Sequence, residues 1–313
     1  MRNSRKPIGE QVIVITGASS GIGRATARLA ADAGAKLALN SRDERDLHEL
    51  IKALRIRGAT VVMSVGDVAD QAAMNQLAET AVRELGAIDT WVNNAGVSIY
   101  GRIEDVTVAD ARRLFETNYW GVVNGSLAAL PHLRRSGGTL ITVGSILSDT
   151  GYPLQGHYTA SKHAVKGFTD SLRLELEYDG APVSVTLIQP AAIDTPYPEH
   201  ARSYLGVQPK HLPPVYAPQI VAQAILACAE RPKRNLLVGG AAKVFAAMEK
   251  FAPRLGDRLK EAIAFDGPAS DEPAGEDSLH ARSRAMRGSG GATPGGSGGA
   301  ACIPRLDCIP SRC

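Results

Sequence analysis

Tyr158 and Lys162, four apart in Tyr158-Thr159-Ala160-Ser161-Lys162, are the residues of this chain best suited by type and spacing to do chemistry, with Ser145 upstream of them. In a helix, residues four apart share a face, so a phenol and an ammonium could meet one ligand. Together they form an acid/base unit. Free tyrosine titrates at about pH 10, and holding it at about 7 takes about 4 kcal/mol of differential stabilisation, which a close ammonium in a poorly solvated cleft can supply. The Ser145 hydroxyl would donate to the same substrate oxygen and share the charge that develops there. The same spacing also suits an aromatic with a snorkelling lysine on a half-exposed helix, so the pentapeptide needs a scaffold before it means chemistry. Ser145 stands in Val143-Gly144-Ser145-Ile146-Leu147, which is not the G-x-S-x-G of a nucleophile elbow, and a serine hydrolase is not supported.

The positioning elements begin at Val12-Ile13-Val14-Ile15, a β-branched run that reads as a buried strand, followed by Gly17, Gly21 and Gly23 and a helical pattern through Leu29. Glycines let the backbone turn sharply and approach a ligand, and the N–H groups that open a helix attract phosphate. Gly17, Ser19, Ser20, Gly21, Ile22 and Gly23 therefore form a candidate pyrophosphate cradle. Its G-x-x-x-G-x-G spacing departs from the commoner G-x-G-x-x-G, and a plain strand-to-helix turn has the same outline. Further strands are expected over residues 36–40, 60–65, 88–93, 139–143 and 183–188, with helices over 43–57, 71–85, 107–135 and 155–178. Such alternation implies a doubly wound parallel sheet of α/β class, a three-layer αβα sandwich. Right-handed crossovers bring the loops after residues 16, 41, 66, 93, 145 and 189 together beyond the carboxyl ends of the strands, where a ligand would lie.

Residues 196–218 carry six prolines and read as a mobile flap over that end. A helix over 219–230 and a last strand over 235–238 return to the sheet, and an amphipathic stretch covers 243–265. A single domain over residues 8–265 is expected, and order should fade from Asp266: residues 288–301 are nearly all Gly, Ser and Ala, too few apolar groups to offset chain entropy. The 35 basic residues nearly balance 32 acidic ones, so the net charge of +3 gives no argument for nucleic acid or an anionic membrane. No apolar run reaches the roughly 18 residues of a bilayer span, and no signal-peptide core stands near the N-terminus, so a cytoplasmic location is expected. Membrane attachment through residues 243–265 is weaker than packing of that stretch on the sheet or on another subunit. Four cysteines do not make a disulfide framework. Cys302, Cys308 and Cys313 lack zinc-site spacing, and Cys228 in an Ala-rich segment reads as a buried thiol, so no metal is expected.

Thr16-Gly17-x-x-x-Gly21-Ile22-Gly23, Asn93-Asn94-Ala95-Gly96, Asn118, Ser145 and Tyr158-x-x-x-Lys162 together resemble the short-chain dehydrogenase/reductase family over about residues 8–240, each motif in order and at the expected strand or helix end. The resemblance implies a Rossmann fold and an NAD(P)-dependent oxidoreductase that interconverts a secondary alcohol and a ketone. It implies Tyr158 as general acid/base and Lys162 as the residue that holds the nicotinamide ribose and lowers the tyrosine pKa. Ser145 would orient the carbonyl and Asn118 would support a water-borne proton relay. Asn94, Ala95 and Gly96 would pack over the cofactor, Asp67 and Val68 would touch the adenine, and Ile193 and Thr195, after the cofactor-binding Pro190, would hold the carboxamide. Relatives usually have Gly after that proline, where this chain has Ala191. Pairing of the helices near 107–135 and 155–178 with their own copies, as homodimer or homotetramer, is implied too. A non-catalytic dinucleotide sensor or scaffold of the same fold is the alternative.

Cofactor choice turns on the residues at the end of the second strand. A carboxylate there would bind the ribose 2′-hydroxyl and repel a 2′-phosphate, but the chain reads Asn40-Ser41-Arg42. Arg42 can make charge-assisted bonds to a 2′-phosphate beside Ser41, which favours NADP(H) over NAD(H). Tyr100, Leu147, Tyr152, Leu154, Gln155, Tyr197 and Tyr204 would line the substrate pocket and suit a largely apolar molecule.

Overall fold

A run of four β-branched residues is stable only where both faces of a strand are covered, and in the computed structural model Val12–Ile15 (β1) is buried at every position. The structure describes residues 5–211, 213–240, 248–249, 251–265, 272–275 and 277–280. Within them β1 is followed by Lys36–Ser41 (β2), Val61–Val65 (β3), Thr90–Asn93 (β4), Gly138–Val143 (β5), Val183–Pro190 (β6) and Asn235–Val238 (β7). They form one parallel sheet in the order β3-β2-β1-β4-β5-β6-β7. The order reverses direction between β1 and β4, the crevice where α/β sheets receive ligands.

Period-two alternation sorts the strand side chains into two cores. Ile13, Ile15, Leu37 and Leu39 pack on one face with Ala27 of Gly21–Asp32 (α1), Leu50 of Glu44–Ile56 (α2) and Ile225 of Pro218–Glu230 (α7). Val12, Val14 and Trp91 pack on the other with Leu77 of Gln71–Leu85 (α3), Leu133 of Gly121–Ser136 (α5) and Leu176 of Gly156–Tyr178 (α6). The result is the three-layer, doubly wound Rossmann arrangement expected from the alternation. Cys228 faces the first core as a buried free thiol.

The single helix expected over 107–135 is interrupted. Val108–Phe115 (α4) passes through a π-helical turn, Glu116–Trp120, into α5. This widened turn carries Asn118, whose side chain bonds Val97 in the loop after β4, contacts that no local periodicity encodes. No described helix is long and apolar enough to cross a membrane.

The proline-rich segment is fastened at several points. Residues Arg202–Ser203 pair in parallel with Ile99–Tyr100, and the Tyr216 N–H donates to the Ala192 carbonyl at 2.9 Å. Of the 243–265 stretch, Pro253–Phe265 (α8) is helical, while residues 243–247 lie outside the described residues. Of the residues from Asp266 onward, 272–275 and 277–280 are described, and they contact the domain. Pro273 bridges Val207, the Gln208 N–H donates to the Glu272 carbonyl at 2.9 Å, and Leu279 is fully buried. Average composition hides one apolar anchor flanked by carbonyls that meet arginines of the domain. The Gly- and Ser-rich stretch and Cys302, Cys308 and Cys313 lie outside the described residues.

Candidate active site

Ser145 stands two residues beyond β5 and caps the short turn Ile146–Ser148, its Oγ accepting the Leu147 N–H at 3.1 Å. Tyr158 and Lys162 occupy the first turns of α6, both buried. As their spacing requires, they share a face: Lys162 Nζ lies 5.7 Å from the centroid of the Tyr158 ring and donates to the Val143 carbonyl at 3.2 Å. Burial pushes Tyr158 above its ordinary value, tempered by the Tyr197 and Ser145 hydroxyls, and burial lowers Lys162 to about 8. Burial thus raises Tyr158 in this structure, the reverse of the lowering expected for it.

The three residues line a chamber of about 290 Å³ together with Tyr100, Leu147, Tyr152, Gln155 and Tyr197, all expected there. Leu154 and Tyr204 do not line it. Leu154 adopts φ +62° and its carbonyl accepts the Gly101 N–H, whereas Tyr204 Oη is drawn 2.7 Å from Asp110 Oδ2. His211, stacked on Tyr197 at 6.5 Å between centroids, and Ile263 of α8 join the lining. Both are far along the chain from the motifs, and no spacing points to them.

A second cleft of about 420 Å³ opens beside β1, β2 and β4. Ile22, Asn94, Gly96, Thr195 and Tyr197 line both spaces, so the two adjoin. Gly17, Ser19, Ser20, Gly21, Ser41, Arg42, Asp67, Val68 and Ala95 line this cleft, while Pro190 and Ile193 line the chamber. Ala191, in the place of the usual glycine, also faces the chamber and donates its N–H to the Val238 carbonyl at 2.9 Å. Gly17 has φ +63°, and a Cβ there would stand 2.8 Å from Ala95 Cα. Asn94 Nδ2 donates to the Thr16 and Gly17 carbonyls at 2.9 and 3.0 Å, tying the β1 and β4 loops into one rim. Ser20 caps α1 without a side-chain bond to its N–H groups. The N–H groups that open α1 beside the Gly17 turn can receive a phosphate at this cleft.

Two expected site residues line neither space. A Cβ on Gly23 would fall 2.2 Å from the Gly17 carbonyl oxygen, so this glycine serves close packing of helix against turn. Asn118, fully buried, accepts the Val97 N–H at 2.8 Å and donates to the Val97 carbonyl at 3.0 Å and to Ser161 Oγ at 3.1 Å. It fastens the β4 loop to α6 directly. At the far end of the cleft Ser41 Oγ bonds Ser19 Oγ at 2.8 Å, and Asp67 pairs with Arg113 and lies 3.6 Å from Arg42. Burial pushes the Asp67 carboxyl up, but the Ala69 N–H and the two guanidinium groups more than offset it, leaving it below the usual range. Thr117, His200, Ser278 and His280 also line this cleft and carried no signal in the sequence.

The family model described as short chain dehydrogenase matches residues 11–205. An uncharacterized oxidoreductase, YxnA, of Bacillus subtilis (strain 168) is 48% identical over 272 residues, covering 86% of this chain and 76% of the relative. A short chain dehydrogenase/reductase from Burkholderia phymatum, solved in complex with NAD, is 28% identical with a TM-score of 0.70 over 78% of this chain and 94% of its own. An alcohol dehydrogenase from the archaeon Thermococcus sibiricus, complexed with 5-hydroxy-NADP, is 27% identical with a TM-score of 0.64 over 72% of this chain and 95% of its own. With the Rossmann sheet, the glycine cradle and the Ser145, Tyr158 and Lys162 cluster on one continuous cleft, the chain belongs to the short-chain dehydrogenase/reductase family of oxidoreductases.

Proposed function

We propose that this protein is an NAD(P)(H)-dependent dehydrogenase that interconverts a secondary alcohol and a ketone, with Tyr158 as its general acid/base. The observation that carries this is the convergence of Ser145, Tyr158 and Lys162 in a largely apolar chamber that adjoins the glycine-lined cleft. Bound nicotinamide would accept or supply the hydride. Tyr158 Oη takes the proton of the alcohol in oxidation and returns one to the carbonyl oxygen in reduction, while Ser145 Oγ donates to the same oxygen. With its pKa at about 8, Lys162 is still largely an ammonium at pH 7 and favours the tyrosinate that oxidation needs.

The Gly17 to Gly23 turn and α1 would hold the pyrophosphate, Asn94, Ala95, Gly96 and Pro190 would flank the cofactor, and Ile193 and Thr195 would meet the carboxamide. Arg42 and Ser41 in place of a carboxylate support NADP(H) over NAD(H). The Tyr100, Leu147 and Tyr152 walls support an apolar substrate. Exposed Trp120 and Leu127 beside the α4–α5 bend and exposed Leu174 on α6 support self-association through these helices.

Tyr158→Phe tests the assignment, since it deletes the hydroxyl and keeps the ring. Ketone reduction and alcohol oxidation followed by cofactor absorbance should fall about 100-fold or more while dinucleotide affinity survives. A variant as fast as wild type would end the acid/base role. Tight dinucleotide binding without turnover of any ketone or alcohol would favour the sensor instead.

A further inference from the structure

Arg42 lines the cleft at the end of β2, yet its guanidinium reaches a part of the chain remote in sequence. Its Nη2 donates to the Ser278 carbonyl at 2.6 Å and its Nη1 reaches the Leu279 carbonyl at 3.5 Å. That second carbonyl also accepts Arg113 Nε at 3.0 Å. The segment bearing these carbonyls is anchored along its length. Asp277 pairs with Arg202 at 2.9 Å, the Ser278 N–H donates to the His200 carbonyl at 2.9 Å, Leu279 is buried in the Leu114 cluster, and His280 Nε2 lies 2.5 Å from Asp110 Oδ1. Ser278 and His280 are themselves part of the cleft wall.

A ribose 2′-phosphate and a backbone carbonyl are both acceptors and seek the same donors of the Arg42 fork. A 2′-hydroxyl is different, because it can donate to a carbonyl or to Asp67. We propose that residues 277–280 are a cofactor-selecting strap: docked, their carbonyls compete with the 2′-phosphate of NADP(H) for Arg42, and NAD(H) meets no such competition. The proposal rests on reading the cleft as a dinucleotide site. Apparent affinity for a 2′-phosphorylated nucleotide is then reduced by the fraction of molecules in which the strap is docked.

Titration calorimetry on the full chain tests this with adenosine 2′,5′-bisphosphate and 5′-AMP, which probe the adenosine end without turnover. Leu279→Asn removes the apolar anchor, and Asp277→Asn independently removes the ion pair with Arg202 without touching the cleft wall. Each variant should bind the bisphosphate at least about tenfold tighter than wild type, with 5′-AMP changed less than about twofold. Adding Arg42→Ala should erase the gain. Equal tightening of both nucleotides would mean that the segment only covers the cleft, and unchanged or weaker bisphosphate binding would mean that it does not compete; either result overturns the proposal. Failure of every protein to bind either nucleotide would instead remove the dinucleotide reading, and the strap with it.

Discussion

Replacing Lys162 by methionine should stabilise the free protein while disabling it. Lys162 is 5% exposed, and burial moves its pKa from 10.5 to about 8. Holding the charge in that place costs the folded state on the order of 3 kcal/mol at pH 7. Methionine of similar length removes that cost. Against it stand the hydrogen bond to the Val143 carbonyl at 3.2 Å, about 1 kcal/mol, and the cation–π contact with Tyr158, up to about 1 kcal/mol more. A net gain of about 1–2 kcal/mol remains, which in a domain of this size raises Tm by about 2–4 °C. Because the folded pKa of this base is depressed, its penalty is full below about pH 8, fades as pH rises toward 10.5 and is absent above. Thermal melts of wild type and Lys162→Met across pH 7–11 should therefore show a gap that closes from the acid side upward. A variant no more stable than wild type at pH 7, or a gap that does not narrow between pH 8 and 10.5, would refute the buried-charge argument.

The pH profile of alcohol oxidation should rise as Tyr158 loses its proton, and Lys162→Met should move that limb to higher pH, measured as kcat against pH for a verified substrate. Gly23→Ala, with its Cβ 2.2 Å from a backbone oxygen, should cost about 1–3 kcal/mol in urea unfolding and weaken dinucleotide binding at least about tenfold. Gly167→Ala in α6, with nothing within 4 Å of the new Cβ, should instead stabilise by about 0.5–1 kcal/mol in the same assay. Asn118→Leu leaves both polar groups of Val97 without their partner and should lower stability by about 2–4 kcal/mol, visible as a reduced denaturation midpoint with unchanged m-value.

The sequence by itself determined the layers, the strand order's alternating logic and the chemical cluster, because those features are local. A β-branched run such as Val12–Ile15 must be covered on both faces, the glycines after it allow a sharp turn into α1, and Tyr158 and Lys162 must share a face if α6 is helical. Tertiary structure decided the rest. Asn118 carries a polar side chain whose place depends on a π-helical turn and on Val97 and Ser161, partners from other elements. Tyr204 reads as a pocket aromatic until Asp110 draws its hydroxyl away. Tyr158 and Lys162 read as a pair that lowers the tyrosine, whereas burial raises Tyr158 and lowers Lys162. Leu279 reads as one apolar residue in a polar tail, and only the cluster around Leu114 and the donors of Arg42 and Arg113 give it a place. Periodicity and glycine geometry act within a few residues and survive in the one-dimensional string; burial, desolvation and long-range acceptor pairing are sums over neighbours that exist only once the chain has closed on itself.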